Sequence, residues 1–120
     1  MAPDLGRTGE EAGYRFADRY VDSFAAWDLL VFLHNRPDTV ADASGFAMLL
    51  GRSEEDLARS LDQLATTGAL SCTDEGASRR FALTGDEAVR DELAAFVHLC
   101  AVKECRLEIV RRVLASYPRD

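Results

Sequence analysis

One short stretch of the sequence constrains the fold more than any other. Over residues 46–70, which read FAMLLGRSEEDLARSLDQLATTGAL, Ala47 is followed four positions later by Gly51 and six positions after that by Leu57. A small side chain lets two helices cross closely, glycine adopts the positive φ of a tight turn at little cost, and leucine buries the second helix against the first. The spacing therefore predicts two helices joined by a tight turn at Gly51.

The second of these helices has clear start and stop signals. Ser53 followed three positions later by Asp56 forms a shortened capping box, and Gly68 stands where a glycine commonly ends a helix. Between them the apolar positions recur at helical spacing: Leu57, Leu61 and Leu64. The pattern predicts a helix over residues 53–67.

Proline and glycine mark the boundaries of the amino-terminal part. Residues 1–13 combine Pro3 with three glycines and scattered charges, so we expect them to be largely disordered. Apolar residues recur at helical spacing over residues 14–21, and again after Ser23, a candidate cap, until a stop before Pro37. Whether these two stretches form one helix or two stays open.

A further helix is predicted over residues 39–50, immediately before the turn. Its inward side is expected to carry Phe46, Leu49 and Leu50. Three residues are candidate caps for its start: Thr39, Asp42 and Ser44.

After the helix pair, residues 69–73 and 79–83 read as two short strands around a turn-rich stretch, which predicts a β-hairpin. Thr84 and Gly85 break the second strand, and a single long helix is then expected over residues 86–118, where Pro118 stops it. Such a helix extends about 45 Å at 1.5 Å per residue, longer than a small body can cover.

This trailing helix carries an apolar repeat of seven residues, interrupted by Lys103. A seam of this kind is typical of a helix that packs against a partner helix, so we expect a homodimer. The residues expected in the dimer interface are Leu93, Phe96, Cys100, Leu107, Val110 and Leu114.

Composition excludes several classes of protein. A length of 120 residues with 48% hydrophobic content fits one small domain. The longest apolar run, residues 29–33, is far shorter than a bilayer span, so we expect no membrane association and a cytoplasmic location. The three cysteines and two histidines show no metal-ligand spacing, and no nucleophile with a neighbouring base or glycine-rich phosphate loop is present. No metal, no cofactor and no enzymatic activity are expected.

From residue 24 to residue 83 the order helix, helix, turn, helix, hairpin resembles the winged helix-turn-helix superfamily. With a leading helix and a long trailing helix, the chain is similar to small bacterial transcriptional regulators of the MarR or PadR type. The resemblance implies a mainly α domain over residues 14–85 that binds DNA as a dimer, with the helix over residues 53–67 in the major groove. The residues it suggests for DNA contact are Arg52, Arg59, Ser60, Gln63, Arg79 and Arg80.

An alternative function follows from charge. The chain carries a net charge of −7, and the first turn of the helix expected to face DNA is Glu54, Glu55 and Asp56. Acidic side chains are unfavourable opposite a polyanion, although carboxylates do accept hydrogen bonds from cytosine. The same three acids suit a module that binds a protein partner instead, and the sequence leaves both functions open.

Overall fold

Six helices and one β-hairpin make up the part of the chain that the computed structural model describes, residues 5–76 and 78–116. The elements follow one another in this order: α1 (Leu5–Tyr20), α2 (Phe24–Asn35), α3 (Ala43–Leu50), α4 (Glu54–Thr67), β1 (Leu70–Glu75), β2 (Ser78–Leu83), α5 (Glu87–Cys100) and α6 (Lys103–Ser116). The prediction of a mainly helical fold with a small hairpin is confirmed.

The turn between α3 and α4 forms where the local signals placed it. Gly51 ends α3 with φ at 67°, a left-handed conformation that favours glycine. The Ser53 hydroxyl then accepts a hydrogen bond from the Asp56 amide at 3.2 Å, which caps α4. At the far end Gly68 adopts φ of 97° and stops the helix.

Side-chain caps also start α2 and α3. The Ser23 hydroxyl accepts from the Ala26 amide at 3.1 Å, so α1 and α2 are separate helices. Of the three candidate caps for α3, the structure uses Asp42, whose carboxylate accepts from the Gly45 amide at 2.8 Å.

The hairpin packs one face on the helices and is joined by an isolated β-bridge to the segment before α3. β1 and β2 pair antiparallel, with Leu70 opposite Leu83 at the helix end. Phe81 and Leu83 face inward and are buried. Ala41, between α2 and α3, pairs with Phe81 through hydrogen bonds of 2.8 and 3.2 Å. The hairpin is thereby tied to the start of α3.

A single cluster of buried side chains joins all six helices and the hairpin. Helix α2 lies at its centre, and four of its residues have no exposed surface: Ala26, Leu29, Leu30 and Leu33. The apolar stripe of α4 closes the cluster on one side and Phe96 of α5 closes it on the other. The helix pair and the flanking helices therefore share one core.

Helix α1 begins at Leu5, within the segment predicted to be disordered, so that expectation is corrected from residue 5 onward; residues 1–4 lie outside the described residues. Gly13 is buried where α1 crosses α5, and a Cβ placed on it would lie 2.5 Å from Leu99 Cδ1. A glycine that indicated disorder in the sequence instead permits a close helix crossing.

The single long trailing helix is also corrected. Helix α5 ends at Cys100, and Ala101 and Val102 connect it to α6. Helix α6 folds back so that the Arg112 guanidinium donates to the Asp18 carboxylate on α1 at 2.6 Å. Ile109 and Val113 are buried by this return. The apolar repeat is therefore divided between two helices of one chain, and the predicted stop at Pro118 lies outside the described residues.

Candidate interaction face on helix α4 and the hairpin

The structure places most of the residues predicted to contact DNA or a protein partner on one surface. Because Leu57, Leu61 and Leu64 turn inward, the opposite side of α4 is exposed beside the outer part of β2. We call this surface the α4–hairpin face. It comprises Glu54, Glu55, Asp56, Arg59, Asp62, Gln63 and Arg79.

Arg52, a predicted DNA contact, is held by a carboxylate of its own chain. Its Nε and Nη2 atoms lie 2.7 and 2.6 Å from one oxygen of Asp28. The pair links the turn before α4 to α2. A guanidinium compensated in this way contributes little attraction for phosphate.

Arg79 has more partners within the chain than Arg52. Its Nη1 donates to Asp62 on α4 at 2.8 Å, and its Nε lies 3.7 Å from Asp74 on β1. The guanidinium also lies 3.4 Å from the Cys72 sulfur and 5.3 Å from the centre of the Phe81 ring. The hydrogen bond to Cys72, together with Asp62, raises the pKa of Arg79 above its ordinary value. Arg79 thus fastens the hairpin to α4.

Arg59 and Gln63 lie one helical turn apart, and both are exposed. Arg59 makes no ion pair with any residue that the structure describes. Arg80 is exposed on the opposite side of β2 from Arg79, because successive side chains of a strand alternate. All three are accessible, and their roles as DNA contacts stay predictions.

Ser60 does not keep its predicted role. The residue is only 5% exposed, and its hydroxyl lies 3.3 Å from the hydroxyl of Ser23 at the start of α2. The predicted DNA contact is wrong for Ser60, because this hydroxyl joins α4 to α2 beneath the surface.

The acidic first turn of α4 is open to solvent. Glu54, Glu55 and Asp56 are exposed, and none of them forms an ion pair within the described part of the chain. The helix as a whole has four acidic side chains and one basic. Acids in a first turn are stabilised by the helix dipole, so this arrangement does not strain the fold.

Two grooves run along the sides of α4. The groove toward α2 has a volume of about 810 Å³ and is lined by Asp22, Ser23, Phe24, Ala25, Arg52, Asp56, Arg59, Ser60, Gln63 and Ser116. The groove toward the hairpin has a volume of about 280 Å³ and is lined by Asp42, Ala43, Ser44, Glu54, Ala58, Asp62, Ser78, Arg79 and Phe81. We call the second one the hairpin-side groove.

Helix α3 presents apolar side chains that the sequence did not identify as a surface. Met48 is 84% exposed and Leu49 is 54% exposed, and Val40 before the helix is exposed as well. The inward placement predicted for Leu49 is therefore wrong. A helix of eight residues with one buried stripe, around Phe46, leaves its other sides in solvent.

The residues predicted for a dimer interface are separated by the fold. Leu93 and Phe96 are buried in the core of this chain, so the prediction is wrong for both. Cys100 and Val110 are half-buried, while Leu107 and Leu114 are exposed on α6. Burial raises the pKa of the Cys100 thiol, which favours its neutral form.

A second group of titratable side chains lies away from this face, between α1 and α6. A hydrogen bond with Cys105 and partial burial raise the pKa of Tyr14 to about 12. The Arg112 guanidinium stacks 4.6 Å from the centre of the Tyr14 ring and also bonds Glu108, whose pKa it lowers. Each polar group here is engaged by a neighbour, which makes the cluster a structural one.

Within residues 5–76 and 78–116, no three histidine, cysteine or acidic side chains come together as a metal-binding group. Among the helices of the same residues, none combines the length and the apolar composition that crossing a bilayer demands. Comparison with protein-family models, with curated proteins and with solved structures gives no match for this chain.

Proposed function

We propose that the chain is a winged-helix module that binds a protein partner through the α4–hairpin face. The order α2, α3, turn, α4 and hairpin supports the winged-helix part. The β-bridge between Ala41 and Phe81 adds to it, since it holds the segment before α3 beside the hairpin. In this arrangement α4 is the presented helix and the hairpin is the wing.

The distribution of paired charges carries the proposal for a protein partner. Two of the predicted phosphate contacts, Arg52 and Arg79, are neutralised by Asp28, Asp62 and Asp74 of the same chain. The carboxylates at the start of α4 stay exposed, and among the described residues none forms an ion pair with them. Affinity for DNA comes largely from basic side chains that neutralise phosphates, whereas this face offers uncompensated negative charge.

A second copy of the chain is a further expected partner. Three of the residues predicted for the dimer interface lie on the accessible side of α6 at intervals of three and four residues: Leu107, Val110 and Leu114. We propose this shorter stripe as the homodimer contact.

Affinity capture from a native lysate tests the protein-binding proposal. We expect a partner that the intact chain retains and that the double variant Glu54→Lys, Glu55→Lys releases. The matched control is Glu87→Lys with Asp91→Lys on α5, two exposed acids that change the net charge equally. A partner lost equally from both variants, or no partner at all, contradicts the proposal.

One observation favours DNA as a second candidate partner. Arg59 and Gln63 are exposed one turn apart, which is the placement of side chains that read base edges from a helix. A mobility-shift assay at low salt tests this candidate. A specific shift that Arg59→Ala abolishes and that Arg111→Ala leaves intact would make DNA the partner; Arg111 is a 79% exposed side chain on α6.

A further inference from the structure

The strongest unassigned feature of the molecule is the exposed apolar surface of α3. Met48 and Leu49 are neighbours in sequence, and both leave more than half of their surface in water. Large apolar side chains grouped on a surface mark interaction sites, and methionine is well suited to contact surfaces because its flexible thioether adapts to the partner.

Acidic groups lie directly beside this surface. Ser44 precedes Met48 by one helical turn, so the two side chains share one side of α3. Ser44 also lines the hairpin-side groove together with the carboxylates of Asp42, Glu54 and Asp62. The hairpin-side groove therefore reaches to within one helical turn of Met48.

The charge of the groove is not balanced from within the chain. Arg79 is its only cation among the described lining residues, and it is already bonded to Asp62 and Asp74. Asp42 is used as the cap of α3, and Glu54 makes no ion pair within the part of the chain that the structure describes. Basic side chains of a partner are the electrostatic complement of these carboxylates.

We infer that the partner presents a basic amphipathic helix, with apolar side chains on Met48 and Leu49 and lysine or arginine side chains at the hairpin-side groove. The inference rests on the proposed protein-binding function and names the chemistry of its partner. An amphipathic helix offers apolar and basic side chains at intervals of three and four residues, which matches an apolar surface bordered by acids.

A synthetic peptide tests the inference with the intact chain. The probe is an 18-residue helical peptide with leucines on one side and lysines on the other, and binding is followed by fluorescence anisotropy and by amide chemical shifts. We expect shifts on α3 and in the hairpin-side groove. Two comparison peptides carry glutamate in place of lysine or serine in place of leucine, and we expect each to bind about tenfold more weakly.

Surface variants locate the contact. Met48→Ser is expected to weaken binding about tenfold, because it removes an apolar anchor, and Glu54→Gln about threefold, because it removes one exposed charge. Val102→Ser is the matched control, since Val102, between α5 and α6, is 45% exposed, close to the 54% of Leu49. We expect it to leave binding unchanged.

Three results with the peptide overturn the inference. The leucine-free peptide can bind equally well, which means charge attraction alone; the shifts can fall on α6; or Val102→Ser can weaken binding as much as Met48→Ser. A partner captured in the lysate experiment that ignores Met48→Ser leaves the protein-binding function standing and removes this inference alone.

Discussion

The layer formed by α1, α5 and α6 differs from the unit formed by α3, α4 and the hairpin in how many of its aromatic, apolar and charged side chains contact one another. In the layer, aromatic and charged groups contact one another. The ring centroids of Phe16 and Phe96 lie 5.4 Å apart, and Arg112 contacts both the Asp18 carboxylate and the Tyr14 ring. In the unit, Met48 remains in water, and Glu54 forms no ion pair with any residue that the structure describes. Departures from good packing and pairing concentrate where proteins act, so we propose the unit as the functional part.

Helix α6, which belongs to the layer, also leaves apolar side chains in water. Leu107 and Leu114 are exposed on its outer side. Their surroundings differ, however, since α6 carries Arg106 and Arg111 rather than a row of acids. The two apolar surfaces are thus expected to select different partners, a basic segment for α3 and a second copy for α6.

The largest effect is expected from the core of the layer. Phe96 is fully buried, and Phe96→Ala should lower the free energy of unfolding by about 3–5 kcal/mol through lost burial and a cavity. Met48→Ala should change it by less than about 0.5 kcal/mol, because Met48 is exposed. Denaturant titration measures both. A comparable loss from Met48→Ala would mean that α3 has a packing role.

The second largest effect on stability is expected at the turn between α3 and α4. Gly51 has φ at 67°, so Gly51→Ala should lower the free energy of unfolding by about 1–2 kcal/mol. Gly85→Ala is the control, since Gly85 has no positive φ and nothing lies within 4 Å of an added Cβ. Thermal unfolding compares the two variants. Equal stability of both would contradict the left-handed turn.

A smaller effect is expected at the hairpin clamp. Arg79→Ala removes contacts to Asp62 and Asp74 that are exposed, so the loss of stability should stay below about 1 kcal/mol. The local effect should be clearer, with faster amide exchange in β2 than in α5. Arg111→Ala, which removes an exposed pair inside α6, should leave exchange in β2 unchanged. Unaltered exchange in both variants would show that Arg79 does not hold the hairpin.

The remaining effect is seen only at alkaline pH and concerns the layer. The pKa of Tyr14 is raised from 10.0 to about 12, so the folded chain holds this proton more tightly than the unfolded chain. The stabilisation is therefore fully present below pH 10 and is lost as the pH rises toward 12. Ultraviolet absorbance of the phenolate should show a tyrosine that titrates near pH 12 and is missing in Tyr14→Phe. Cys105→Ala should lower that pKa, and an unchanged titration in both variants would exclude the hydrogen bond.

Local signals were enough to predict the centre of the molecule. The turn at Gly51, the cap at Ser53 and the end of α4 at Gly68 each depend on backbone geometry and neighbours within a few residues. The hairpin follows from the same kind of information. The acidic start of α4 was equally visible, because no distant residue in the described part of the chain neutralises it.

The candidate site was only partly predictable for the opposite reason. Arg52 and Arg79 look like free cations in the sequence, yet their partners Asp28 and Asp62 are 24 and 17 positions away. Ser60 looks like an exposed polar residue, but its partner Ser23 lies 37 positions away. Pairings of this kind depend on how helices dock, which local patterns do not encode.

The sequence by itself determined the helix pair, its caps, the hairpin and the negative charge of α4, because these arise from short-range geometry and composition. Only the tertiary structure decided that the trailing segment folds back at Ala101 and Val102, where neither glycine nor proline marks a break. Burial of Ile109 and Val113 and the contact of Arg112 with Asp18, 94 positions away, favour the folded-back form. The same docking fixed which charges are matched inside the chain and which remain for a partner.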